Sequence, residues 1–320
     1  MANLDFKTNF VISVKSAIKK YQRMKRYFNR YDFKNWNCRI VRSYEEYRRF
    51  GEENKSITAK CFEIDEQNLK HGVHEGIIRG KCSFCDKKVD FIWKLRPQYS
   101  EHILFTEVLF HTGCHMTARQ RAVIQLFKIF EKNNPVNKKI YIYEQTTPFY
   151  ENYKNCWGKD NEIIGSEYLG FDKKPGEIVN GIRHEDSMNL SFKDNELDYM
   201  ISNDVFEHVP DIDLSLKEAK RCLKPGGKLL FRIPIEWERE KTFKRAEFNN
   251  GEITYLAEKI YHGGFQHDGS DGSLLVYNYG QDIFDIVKRA GFKDAYGVAV
   301  LDKKYVNIDY TPILVFVCEK

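Results

Sequence analysis

Apolar residues crowd most tightly between positions 197 and 235, and their spacing changes twice within that stretch. Leu197 to Ser202 (LDYMIS) is a short apolar run of strand type. Val205, Val209, Ile212, Leu216, Ala219 and Cys222 then recur at close to helical spacing, and Pro210 predicts a break that divides the helix in two. Lys224-Pro225-Gly226-Gly227 stops it. Lys228 to Ile235 (KLLFRIPI) is a second apolar run of strand length. Strand, helix, tight turn and strand within about forty residues is a βαβ unit, and such a crossover makes a parallel sheet.

The same patterns predict the remaining elements. Val14, Ile18, Tyr21, Met24, Tyr27 and Phe28 interleave with seven basic residues between Lys15 and Arg30, which predicts a basic amphipathic helix. VDFIWKL and HILFTEVLF predict a β-hairpin within residues 81–121. Residues 118–134 form an amphipathic helix ended by Asn133-Asn134-Pro135. Lys139 to Tyr143 and Ile163 to Ser166 are strands followed by the acids Glu144 and Glu167. Residues 236–280 look like an insertion, rich in charge and then in glycine. A helix over 281–291 and two strands, Ala295–Leu301 and Ile313–Cys318, close the chain. No internal repeat or low-complexity tract interrupts it.

Composition narrows the class. With 320 residues and 42% hydrophobic content, there is room for one large domain or two modest ones around a sizeable core. No apolar run approaches the roughly eighteen residues of a membrane span, and the N-terminus lacks a signal-peptide core. Eight scattered cysteines suit a reduced, cytoplasmic protein better than a disulfide framework. A net charge of +5 is no nucleic-acid footprint at this length. The basic helix fits either a solvated face packed on its own protein or a peripheral membrane-surface contact. Oligomeric state is left open.

Three motifs in order carry a family resemblance. Asp186-Ser187 with Leu190-Ser191-Phe192 and Leu197-Asp198, then Asn203-Asp204-Val205-Phe206-Glu207-His208-Val209, then Leu223-Lys224-Pro225-Gly226-Gly227 resemble class I S-adenosylmethionine-dependent methyltransferases. The resemblance implies an α/β fold with a Rossmann-like, seven-stranded, mostly parallel sheet and helices on both faces. It also implies a cofactor site at the carboxyl ends of the strands. There Glu167, followed by Tyr168, would accept the ribose hydroxyls, and Asp186 with the Ser187 amide would meet the adenine. Asn203 and Asp204 would meet the methionine moiety, and Glu144 holds the place of the first-motif acid. The family's first motif is glycine-rich, whereas Glu144-Gln145-Thr146-Thr147-Pro148 has no glycine. That loop must take another path or bind through the Gln145 and Thr146 side chains; a relative that binds without catalysis is the alternative.

A second signal precedes this domain. Cys82-Ser83-Phe84-Cys85 and His111-Thr112-Gly113-Cys114 are two short knuckles whose spacing suits a structural zinc with Cys82, Cys85, His111 and Cys114 as ligands. His115 is a fallback ligand, and free buried cysteines are the alternative. Glu107-x-Leu109-x-His111-x-x-Cys114 followed by Arg119-x-Arg121 resembles the small zinc ribbon found before methyltransferase domains in enzymes of bacterial polysaccharide and secondary-metabolite clusters. The expected division is a basic helical region over 1–75, the ribbon and linker helix over 76–135, and the methyltransferase domain over 136–320 with its insertion at 236–280. The implied function is O-methylation of a sugar or glycan-type acceptor, with a small secondary metabolite as the alternative acceptor. His208 and His262 are the candidate bases, and His267 and Asp268 weaker ones. No acidic cluster announces catalytic magnesium.

Overall fold

The computed structural model describes residues 37–72, 74–95, 102–249, 252–262 and 272–320. The basic segment 14–30, His267 and Asp268 lie outside them. Among the described residues no helix is long and apolar enough to cross a membrane.

The chain enters through β1 (Cys38–Val41) and two helices, α1 (Tyr44–Glu53) and α2 (Lys55–His71). Ser43 caps α1 by accepting from Glu46 N at 3.3 Å. Tyr47 on α1 donates to Pro312 O at 2.8 Å and stacks on Trp237 with centroids 4.1 Å apart. α1 therefore packs on residues more than 180 positions away.

β2 (Glu75–Lys81) and β3 (Lys88–Lys94) form a hairpin, joined by the short α3 (Phe105–Val108) and β4 (Phe110–His111). This corrects the expected pairing. The strand opposite VDFIWKL is EGIIRGK, and most of HILFTEVLF is one helical turn and two strand residues. Phe105, Thr106, Val108 and Leu109 are all buried, so burial beyond Leu104 does not alternate as it would along a half-buried strand. α4 (Ala118–Phe130) then leads into the central sheet, with Gln120 Oε1 accepting from Thr117 N at 3.1 Å at its start.

The central sheet is built from β5 (Lys139–Ile142), β6 (Glu162–Gly165), β9 (Leu197–Asn203), β10 (Leu223–Arg232), β17 (Asp294–Val300) and β18 (Ile313–Glu319), with β1 at one edge. Its order is β1-β17-β18-β10-β9-β5-β6. The run β10-β9-β5-β6 is parallel, while β18 is antiparallel to β10 and β17, and β1 is antiparallel to β17. Five strands thus share one direction. Between β6 and β9 lies a small hairpin, β7 (Ile178–Val179) and β8 (Ile182–Arg183), which touches the sheet through a parallel bridge of Glu167 with His184. α5 (Pro148–Trp157), α6 (Ile212–Cys222) and α7 (Ile283–Arg289) supply crossovers.

Only the second half of the helix expected over 204–222 forms. α6 starts at Ile212, where Asp211 caps it by accepting from Leu214 N at 3.0 Å. Residues 204–211 stay irregular because the Glu207 carbonyl is taken by the backbone amides of Val276 and Tyr277, at 2.8 and 3.0 Å. Between Ile235 and Ile283 the chain makes short ribbons: β11 (Phe243–Lys244) with β16 (Tyr277–Asn278), β12 (Ala246–Asn249) with β13 (Glu252–Tyr255), and β14 (Tyr261–His262) with β15 (Ser273–Leu274).

One apolar core unites all of this, running from Cys82, Phe91 and Leu109 to Leu229 and Phe316. The fully buried Arg121 ties its parts. Its guanidinium donates to Leu109 O (3.0 Å), Met116 O (2.8 Å) and Val306 O (2.8 Å), and lies 4.1 Å from the Phe91 ring centroid.

Candidate active site

Parallel strands β6, β5 and β9 end side by side, and the acids and amides predicted for the cofactor lie just beyond them. Asn203 Nδ2 donates to Glu144 Oε1 at 3.1 Å, and the Thr147 hydroxyl bonds Glu144 Oε2. Burial pushes the Glu144 carboxyl up from its ordinary range, against these two partners. Asn203 Oδ1 is buried at the end of β9 and has no hydrogen-bond partner among the described residues. Asp186 Oδ1 accepts from Met188 N at 2.9 Å, and Ser187 Oγ is 3.0 Å from Ser215 Oγ. Tyr168 is exposed, with its ring centroid 5.3 Å from that of His184.

The glycine-free loop is held by side chains. Glu167 Oε1 accepts from Gln145 N (2.8 Å), Thr146 N (2.9 Å) and Thr146 Oγ1 (2.9 Å). Its Oε2 has no hydrogen bond among the described residues. The Gln145 amide group bridges to the hairpin, donating to Gly181 O at 2.9 Å and accepting from Arg183 N at 2.8 Å. The close approach that the loop avoids is moved to β6. A Cβ on Gly165 would meet Glu144 O at 2.7 Å and the Tyr150 ring at 2.6 Å. Gln145 and Thr146 are therefore brought to the site as organisers of Glu167, and the pair closes the loop without glycine.

On the other side of Asn203 lies a charged cluster. Asp204 has φ +52°, an uncommon backbone for a residue other than glycine. Its carboxylate pairs with Arg119 of α4 and Arg232 of β10. Arg119 Nε also donates to Glu107 Oε2 at 2.7 Å, and Arg232 is 3.6 Å from Glu107 Oε1. Burial pushes the Glu107 carboxyl up, but the two guanidinium groups outweigh it and hold the group below its ordinary value.

His208 and His262 are brought together, ring centroids 5.6 Å apart and perpendicular. His208 Nδ1 faces Leu274 O at 2.8 Å, and its Nε2 is 3.8 Å from Glu207 Oε1. Glu207 is buried, its Oε2 has no partner, and burial pushes its carboxyl up to about 7. Burial holds both histidines below their ordinary value, His262 with a further contribution from His208.

Glu107, Arg119 and Glu207 are site residues that the sequence did not single out as such. The first two stand in the ribbon motif and the third beside His208 in the fourth motif. Their side-chain chemistry was visible, but their placement depends on how the ribbon docks.

The ribbon brings three of its four expected ligands together. Cys82, His111 and Cys114 have ligand atoms all within 4.8 Å of one another, with Cys82 Sγ 3.9 Å from Cys114 Sγ. Two sulfurs at about 2.3 Å from a tetrahedral zinc stand about 3.8 Å apart. His111 Nδ1 is buried without a partner. Cys85 lies outside that trio, half-buried beside Cys82. The two knuckles make the same turn: Asp86 N donates to Cys82 O at 2.8 Å and His115 N to His111 O at 2.7 Å, with Asp86 and His115 both left-handed. His115 spends itself on that turn and its ring stacks on Phe110.

Residues 164–231 match a family model described as a methyltransferase domain. The match covers about a fifth of the chain. It runs from β6 to β10, so the glycine-free loop and the ribbon stand outside it. The demethylmenaquinone methyltransferase of Staphylococcus saprophyticus is 38% identical over 79 residues, 23% of this chain and 34% of the relative. Phosphoethanolamine N-methyltransferase 2 of Caenorhabditis elegans is 32% identical over 76 residues, 24% of this chain and 16% of the relative. The chain thus spans about a third of the first of these curated relatives and less of the second. Among solved structures, Haemonchus contortus phosphoethanolamine N-methyltransferase 2 in complex with S-adenosyl-L-methionine is 16% identical over 62% of this chain and 52% of that one, with a TM-score of 0.36. The fold around the methyltransferase domain is mixed α/β and Rossmann-like, with a large, mostly parallel sheet.

Proposed function

We propose that this chain is a class I S-adenosylmethionine-dependent methyltransferase acting on a hydroxyl of a sugar or glycan-type acceptor. The observation that carries the cofactor assignment is Asn203 Oδ1, an orphaned buried acceptor at the end of β9 inside the matched segment. A buried carbonyl oxygen without a donor suits an ammonium such as that of a methionine moiety. Glu167 would use Oε2 for the ribose, and Asp186 would take the adenine amino group. When bound, S-adenosylmethionine supplies a methyl group on a positively charged sulfur. The chain's own work is alignment and proton handling. His208, its Nδ1 engaged with Leu274, keeps Nε2 for the proton of an acceptor hydroxyl, with His262 facing it.

Two things support the acceptor class. The walls beyond Asn203 are charged and hydrogen-bonding (Glu107, Arg119, Asp204, Arg232), which suits a hydroxyl-rich molecule better than an apolar one. A ribbon joined to a methyltransferase domain also resembles enzymes of polysaccharide and secondary-metabolite clusters. The ribbon itself would hold one structural zinc through Cys82, Cys85, His111 and Cys114, the paired knuckle turns supporting that set.

A second reading is a binding protein without catalysis. It is favoured by one observation: three donors from the first loop already occupy Glu167 Oε1. Calorimetry of the full chain with S-adenosylmethionine separates the two. Saturable binding, followed by turnover on hydroxylated acceptors, is expected. Folded protein that takes up no cofactor overturns the enzyme assignment.

A further inference from the structure

We propose that Glu207, His208 and His262 form a second metal site, taking one divalent transition ion. One ligand atom from each residue lies within 4.8 Å of the other two. Glu207 is 1% exposed and its Oε2 has no hydrogen bond. A buried carboxylate oxygen in that state asks for a cation or a donor. His208 has the outer contact that metal-bound imidazoles use: Nδ1–H on the Leu274 carbonyl at 2.8 Å, fixing Nε2 as the free lone pair. His262 stands perpendicular to it and approaches from β14, a separate element. Two nitrogens and one carboxylate suit zinc, iron, cobalt or nickel rather than magnesium or calcium. Three protein ligands leave a coordination position open.

This deepens the proposed function and rests on it for the role of the ion, though not for ion binding itself. Lone pairs that would accept a proton in the metal-free protein are then given to the cation. An acceptor hydroxyl at the open position loses its proton to solvent more readily. Its oxygen forms the new O–C bond as the S–C bond breaks, and that electron pair returns to sulfur, which becomes neutral.

The test uses the metal-free full chain titrated with Co²⁺, followed by equilibrium dialysis and absorption. Two ions per chain are expected. The ribbon ion is marked by thiolate-to-cobalt charge transfer, and the second shows only ligand-field bands. Glu207→Gln and His262→Ala should each weaken the second ion by about 10–100-fold and leave the charge-transfer band intact. The His262 change, in a two-residue strand, guards against a folding defect in the Glu207 variant. Wild-type uptake limited to the thiolate-bound ion, or a second ion indifferent to both variants, overturns the site. Cofactor calorimetry on the same samples keeps the two proposals apart. Cobalt at this cluster without cofactor binding sinks the enzyme assignment alone, and the reverse sinks the metal alone.

Discussion

Arg119 on α4 is ion-paired with Asp204, the left-handed residue just past β9. The same guanidinium reaches Glu107, so one side chain joins α3 to the end of β9. Both partners are mostly shielded, at 19% and 17% side-chain exposure. Arg119→Ala leaves two carboxylates facing Arg232 alone. It should cost about 1–3 kcal/mol of stability, between the loss of an exposed pair and that of a fully buried one. Urea unfolding of the full chain measures this, and a loss under 1 kcal/mol would show the pair to be ornamental.

The sequence showed the strands where burial on both faces makes a continuous apolar run. LDYMIS and KLLFRIPI fall within β9 and around β10 because little in them faces water. It hid β2 for an equally physical reason. EGIIRGK carries two glycines, which read as breakers, yet Gly76 pairs with Trp93 and a Cβ there would lie 2.5 Å from the indole. The strand needs glycine because of a neighbour 17 residues on. The placement of Glu144 and Glu167 was legible as strands followed by carboxylates. The Glu107–Arg119–Asp204 link was not, since it joins three segments by charge alone.

Asp186→Ala and Glu167→Ala should each weaken cofactor binding by about 1.5–3 kcal/mol, the value of a hydrogen bond to a charged group. S-adenosylhomocysteine titration reads this directly. Glu167→Ala should in addition loosen the first loop, because Gln145 N and Thr146 N lose their shared acceptor. Faster amide exchange at those two positions is the signature. Unchanged affinity in both folded variants removes the assignment.

Cys85→Ser should release about one zinc per chain relative to wild type, because four ligands make one tetrahedral site. The ribbon should then become sensitive to protease, as β2 and β3 bury too little to hold alone. Zinc retained after both Cys82 and Cys114 are replaced would refute this site.

Asp309 gives a pH-dependent stability. Burial pushes its carboxyl up to about 6 from an ordinary 3.8, despite donors from the Tyr310 backbone and Thr106. The folded state then binds more protons than the unfolded one between these values, so this group's contribution falls as pH rises through them. Asp309→Asn should match wild type near pH 4 and exceed it above about pH 6. Parallel stability curves for the two proteins would contradict the placement of this group.

The pairing of β1 with β17 sets Cys38 opposite Val300 and Val41 opposite Gly297. On a ribosome, β1 therefore has no sheet partner until residues 297–300 have emerged. The β2–β3 hairpin and the parallel strands β5, β6, β9 and β10 are enclosed within that pairing, as clauses are within a parenthesis. Contacts of such long sequence separation form late and slowly. Until β18 arrives, the edge of β10 that faces away from β9 is unpaired, so synthesis exposes a sheet edge whose cover is encoded at the C-terminal end of the described residues.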